Sequence, residues 1–245
     1  MRTAILICFL LVKITNAQIV NIERLRSYSG KKIQGDIQFN FSAVKNTREI
    51  LSFNNNATIQ LVFKNSSLSF FEKFSWMQIN KTKIISNGFQ HLRFTFRRTK
   101  TVQPEILLQN QQNAIWDIET RILGGAGALF MFANSDTFLL SLGTYLLYEY
   151  EDLIKDTSVN KNLRMSISPH FSYKKSNTTV SLILYYQPVP NDIYDYRINT
   201  QIDLFFNVFK KLYLSNTFSL NYDTRPPVNL PELFYRYYTG VGLKF

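Results

Sequence analysis

The chain is poor in the residues that build reactive centres. Of its 245 residues one is cysteine, two are histidine and nine are glycine. Cys8 lies in the apolar run of residues 4–12, with the wrong neighbours for a lipoprotein acceptor. Without it the chain has no thiol, which excludes disulfides, thiolate metal sites and cysteine nucleophiles and suits an oxidising compartment. His91 and His170 show no His-x-x-x-His spacing, so no metal site is expected. Asp152 and Asp156 read as part of a solvated loop. Gly124, Gly125 and Gly127 do not open a helix and make no phosphate cradle; they read as small residues that let a strand bend. No cofactor is expected. Acids are also scarce, 17 Asp and Glu against 28 Lys and Arg, for a formal net charge of +11. With no DNA- or RNA-binding motif beside it, this balance reads as a surface near anionic lipid, and no nucleic-acid partner is expected.

What is present starts with an export pattern. Arg2, the apolar run of residues 4–12 and the small residues around Thr15-Asn16-Ala17 follow the order of a secretory signal peptide, here residues 1–17. The run is too short for a helix that must cross a bilayer with ~20 apolar residues. Residues 18–245 contain no long linker or compositional break and read as one domain.

That domain alternates with period two. In residues 51–64, Leu51, Phe53, Asn55, Ala57, Ile59, Leu61 and Phe63 share one parity, while Ser52, Asn54, Asn56, Thr58, Gln60, Val62 and Lys64 share the other. Such alternation gives a strand with one apolar and one polar face. It recurs at 33–43, 163–173, 194–208 and 212–222, and more weakly at 68–79, 88–97, 102–118, 122–132, 138–150 and 178–187. With 235–245 this predicts about twelve strands of ~10 residues or more, the length a tilted strand needs to span a membrane. Soluble strands are typically ~5–6 residues. Mean hydropathy is only −0.12, because polar lumen-facing positions offset apolar lipid-facing ones. Pro169 interrupts its strand and marks a candidate bulge.

The ends and connections extend the pattern. Tyr235, Tyr237, Val241, Leu243 and Phe245 share one parity, and an alternating last strand ending in Phe245 resembles the signal read by the bacterial barrel-assembly machinery. With both termini periplasmic, inner turns fall near 65–67, 98–101, 133–136, 174–177 and 209–211. The outer loops fall near 44–48, 80–86, 118–121, 151–161, 188–193 and 223–232 and are longer, as in transmembrane barrels. The inner turns are basic (Arg97, Arg98, Lys100, Lys174, Lys175, Lys210, Lys211), which fits anionic headgroups or simple solvation. Trp76, Trp116, Tyr148, Tyr150, Tyr194 and Tyr235 are candidates for interfacial aromatic girdles.

Several stretches resemble the salt-induced outer-membrane protein family (YdiY-like), a bacterial family of unknown function. They are Val20-Asn21-Ile22-Glu23, the Gly-led strand at Gly35, and Arg121-Ile122-Leu123-Gly124-Gly125-Ala126-Gly127 with Tyr148-Glu149-Tyr150-Glu151. They continue with Asn221-Tyr222-Asp223-Thr224-Arg225-Pro226-Pro227 and the C-terminal Thr239-Gly240-Val241-Gly242-Leu243-Lys244-Phe245. The resemblance implies an outer-membrane barrel, a link to salt or envelope stress, and no established reaction.

The expectation is therefore an all-β chain: a single antiparallel transmembrane β-barrel of about twelve strands in the outer membrane of a Gram-negative bacterium. Its expected partners are phospholipid, lipopolysaccharide and, through Phe245, the assembly machinery. The function expected is a narrow passive pore or a structural envelope protein, not an enzyme. Candidate lumen-lining residues are Arg164, His170, Asp195, Arg197, Gln201 and Asp203, whose charges would set ion selectivity. One alternative is a lipid hydrolase of the lipase or lipid A deacylase type. It would use His170 and Ser172, which share a face but lack a third group to orient the base. Another is a soluble periplasmic ligand-binding barrel, which would turn its apolar parity inward.

Overall fold

The structure is a computed structural model that describes residues 32–45, 49–97, 99–114, 117–155, 159–227 and 230–244. The expected signal peptide, Trp116 and Phe245 lie outside them. The first six strands are β1 (Ile33–Lys45), β2 (Glu49–Val62), β3 (Ser66–Ile79), β4 (Thr82–Phe96), β5 (Val102–Asn113) and β6 (Ile118–Asn134). The remaining six are β7 (Phe138–Leu153), β8 (Val159–Lys175), β9 (Thr178–Val189), β10 (Asp192–Asn207), β11 (Leu212–Asp223) and β12 (Leu233–Lys244). Each pairs antiparallel with its sequence neighbours, and β12 returns to β1 to close a twelve-stranded barrel. An even number of up-and-down strands puts the start of β1 and the end of β12 at one rim, called here the terminal end; the opposite rim is the distal end.

The faces are inverted relative to a soluble protein. Outward positions carry Phe41 (71% exposed), Phe132 (64%) and Tyr237 (63%), whereas Asp203, Glu149 and Arg164 lie inside at 0–1%. Exposed apolar surface covering the whole wall costs ~25 cal/mol per Å² in water. Lipid removes that cost, and inward polar groups such as Gln34, Gln60 and Ser69 bond to one another within the barrel. The soluble ligand-binding alternative fails on this point, since its apolar parity would face inward.

The strand bounds correct the expected loop asymmetry. Strands run further than the alternation indicated, so the expected 80–86 loop shrinks to Asn80-Lys81. Both residues have positive φ (48° and 66°), the two-residue hairpin conformation that Asn tolerates. Asn80 also clamps the start of β2, its side chain accepting from Glu49 N at 2.8 Å. The 188–193 loop likewise shrinks to residues 190–191, and 151–161 to 154–158. Only 224–232 remains long, held by the Asp223 carboxylate accepting from Arg225 N at 2.9 Å.

Pro169 makes no bulge. The β8–β9 ladder has Ile167 opposite Tyr186 and resumes with His170 opposite Ile183, in the same register. Proline withholds one N–H, and the sheet loses bonds there without shifting. Register shifts occur elsewhere, within the β3–β4, β5–β6, β6–β7 and β9–β10 ladders.

The glycines of β6 also have a different use from wall bending. A Cβ on inward-facing Gly127 would strike the Tyr145 ring and the β7 backbone. Its absence lets Tyr145 lie over β6 and donate to Glu105 on β5 at 2.7 Å. Leu107, Leu123 and Leu147 pack around that ring as a small apolar core. Gly242 repeats the device under Tyr213, whose hydroxyl crosses β12 from β11 and donates to Asp36 on β1 at 3.0 Å. This contact lies at the closing seam, where the ladder consists of Asp36 opposite Lys244 and Ile37 opposite Leu243 among the described residues.

Candidate functional site: a charged lumen constriction

At the distal end the inward side chains of β6, β7, β8, β10 and β11 converge. Glu149 sits near the end of β7, where Tyr148 and Tyr150 turn outward and Glu149 and Glu151 turn in. Its carboxylate holds three guanidinium groups. Arg121 Nε donates to it from β6 at 2.6 Å, Arg164 Nε from β8 at 2.9 Å, and Arg197 Nη1 from β10 at 2.9 Å. In sheet order β8 and β9 separate β10 from β7, so Arg197 reaches through the interior rather than along the wall.

Arg197 is the hub of the constriction. Its Nη2 meets Glu151 at 3.1 Å and its Nε donates to Asp223 on β11 at 2.8 Å. Arg164 extends the network by donating to Asp195 at 3.2 Å and to the Gln187 carbonyl at 3.0 Å. At the rim, Arg225 pairs with Asp192 at 2.7 Å, more exposed than the rest. Arginine suits this work: it stays charged and offers five donors in a fixed fork. Three buried arginines against four carboxylates keep the cluster near neutrality, which a low-dielectric interior demands.

The six expected lumen residues all lie inside, in three separate places. Arg164, Asp195 and Arg197 belong to the constriction. Gln201 and Asp203 lie further along β10, ~20 Å from Arg197 to Asp203 at a strand's rise per residue. There Asp203 accepts from Gln201 at 2.8 Å and from Thr217 on β11 at 2.6 Å. His170 stands apart, its Nε2 within 3.1 Å of Ser181 on β9. The hydroxyl that His170 meets is thus that of Ser181, the residue opposite Ser172 in the ladder, and not that of Ser172 weighed for hydrolysis.

Alternation alone did not single out Arg121, Glu149, Glu151 or Asp223. The signal was available in Tyr148-Glu149-Tyr150-Glu151, whose alternation continues past residue 150. A second group near the terminal end was also missed. There Arg93 contacts Glu105 at 3.4 Å and stacks over Tyr145, while Thr95 donates to Glu105 at 2.7 Å. Arg93 Nε also donates to His91 Nε2 at 3.3 Å, and His91 Nδ1 lies 3.2 Å from the Gln109 side-chain oxygen. Among the described residues, no cluster of three or more His, Cys, Asp or Glu could hold a metal ion.

A family model described as "Protein of unknown function, DUF481" matches residues 42–245. The chain belongs to this family. The YdiY-like resemblance is compatible with DUF481 membership. No curated protein matches the chain. Among solved structures, this DUF481 protein is similar to a NanC porin, with TM-score 0.51 and 8% identity over 86% of this chain and 98% of that one. A KdgM porin gives TM-score 0.49 and 12% identity over 87% and 99%. The translocator domain of the autotransporter NalP from Neisseria meningitidis gives 0.47 and 10% over 87% of each chain. At such identities the likeness concerns the fold, which is that of an outer-membrane β-barrel.

Proposed function

We propose that this DUF481 barrel sits in the outer membrane of a Gram-negative bacterium as a narrow passive pore for ions and small polar solutes. Its termini face the periplasm, and outer-membrane lipid and the barrel-assembly machinery are its partners. The observation that carries the reading is the Arg197 bridge from β10 to Glu149 and Glu151 on β7. A charged strut through a polar lumen sets both the width and the selectivity of any passage, as charged rings do in other channels. Twelve strands lie between barrels filled by side chains and those with open channels, so one strut decides between them.

A second reading, a structural barrel with a filled interior, is favoured by one observation. Glu149, Arg164, Asp203, Asn221 and Thr217 are at most 1% exposed, so side chains rather than solvent surround them. Planar-bilayer conductance separates the two. The pore predicts stepwise openings in wild-type protein, several-fold larger and less cation-discriminating or anion-discriminating in Arg197→Gln. Protein that inserts into vesicles yet stays silent, wild type and Arg197→Gln alike, would establish the structural barrel instead.

A further inference from the structure

The two rims differ in charge. At the terminal end the turns and strand ends carry Lys64, Lys100, Lys174, Lys175, Lys210 and Lys211, all exposed. Asp136 is the acid among the described turn residues there. The distal rim mixes both signs, with Glu49, Lys81, Asp152, Lys155, Asp192 and Arg225. Just above the basic turns the outward face is apolar: Phe63, Phe96, Val102 and Phe132 are each 38–64% exposed.

One place on this rim is also a groove. The β4–β5 ladder runs from Gly88 opposite Gln112 to Thr95 opposite Glu105 and stops. The next position on β5 is Pro104, which has no N–H to continue it. Below that point β4 stays bonded to β3 as far as Phe96 opposite Ser66, and β5 to β6 as far as Val102 opposite Phe130. The two strands therefore part. Between them lies an outward groove of about 480 Å³ lined by Phe96, Thr99, Val102 and Pro104. Edge-to-face contact with Phe94, at 4.7 Å between centroids, fixes the Phe96 ring. Thr99 caps the turn, its hydroxyl accepting from Val102 N at 3.1 Å. Lys100 follows Thr99 directly. Lys64 stands on the adjoining turn, joined to this one where Arg97 N donates to the Asn65 carbonyl at 2.7 Å.

We infer that this groove is a binding site for one anionic phospholipid, with an acyl chain between β4 and β5 and the phosphate held by Lys64 and Lys100. The inference rests on the membrane reading above. Charge complementarity selects the occupant: an apolar slot whose own turn carries Lys100 and whose adjoining turn carries Lys64 matches a negatively charged headgroup, and a zwitterionic lipid gains much less from it. The proline-made gap makes the site local, whereas the remaining lysines form only a diffuse ring.

The test begins with flotation of the refolded protein on phosphatidylcholine vesicles. Failure to insert would overturn the membrane reading and this site with it. Inserted protein then goes to native mass spectrometry with phosphatidylglycerol or phosphatidylcholine of identical chains. The expected result is about tenfold preferential retention of phosphatidylglycerol or more, since each nearby cation contributes several-fold. Lys64→Gln with Lys100→Gln should bring the two lipids close to parity. Val102→Trp, which fills the groove, should lose both. Lys210→Gln with Lys211→Gln, on a distant turn of the same rim, should change nothing. Equal retention of the two lipids by wild type, or equal loss in the distant pair, overturns the site while leaving the membrane barrel intact.

Discussion

On the β1–β3 side of the lumen the inward groups are mostly amides and hydroxyls that bond to the strand beside them. Gln34 donates to Gln60 at 2.6 Å, and Gln60 to Ser69 at 3.0 Å. On the β6–β11 side they are guanidinium and carboxylate groups that pass over intervening strands, as Arg197 does to Glu149. Both arrangements satisfy a polar interior, but they fail differently. A neutral amide that loses its neighbour leaves one donor or acceptor unmet. A carboxylate that holds three arginines leaves three buried cations facing one another. The neutral side lines the wall; the charged side braces it and narrows the lumen.

Substitutions on the two sides should separate these roles. The largest effect is expected from Glu149→Ala, which strands Arg121, Arg164 and Arg197. Breaking a buried ion pair costs about 3–5 kcal/mol, and urea titration of the barrel in lipid should read at least that. A loss under about 1 kcal/mol would mean water reaches the cluster and screens it. Gly127→Ala comes next, because its methyl meets the Thr144 carbonyl and the Tyr145 ring. Overpacking of this kind costs about 1–3 kcal/mol, and adding Tyr145→Leu should recover only the part due to the ring, since the Thr144 carbonyl stays in the way. If the double variant is no better than the single, the β7 backbone rather than the ring sets the need for glycine. The smallest effect belongs to the neutral side. Gln60→Ala removes its bonds to Gln34 and Ser69 and should cost about 1 kcal/mol, with conductance unchanged. A Gln60→Ala loss matching that of Glu149→Ala would erase the distinction between the two sides.

Much of this architecture was legible in the order of residues. Period-two alternation fixes the number of strands because one face meets lipid and the other the lumen, and residues 51–64 show this almost without exception. β6 is harder: Leu123, Leu129 and Met131 are buried inside, so both its faces are apolar and the alternation fades. Strand ends are harder still. Glu151 at a strand end has the same character as a loop residue, and Asn80-Lys81 turns in two residues where composition indicated seven. The convergence of Arg121, Glu149, Arg197 and Asp223 depends on barrel curvature, which brings non-adjacent strands face to face. Nothing in the linear spacing of those residues encodes that meeting.

Every ladder in this barrel except one joins strands that are neighbours in sequence. The exception is β1 with β12, which must bring together residues on the order of 200 positions apart. By the logarithmic scaling of loop entropy, that single joining costs about 3 kcal/mol more than forming a tight hairpin. Among the described residues, the seam that bears this cost has the shortest ladder of the twelve. The Tyr213 hydroxyl on Asp36 lies beside it, made possible by the missing side chain of Gly242. Ring closure is thus a separate thermodynamic event from hairpin formation, and one tyrosine resting on one glycine adds a side-chain bond to it that no hairpin supplies.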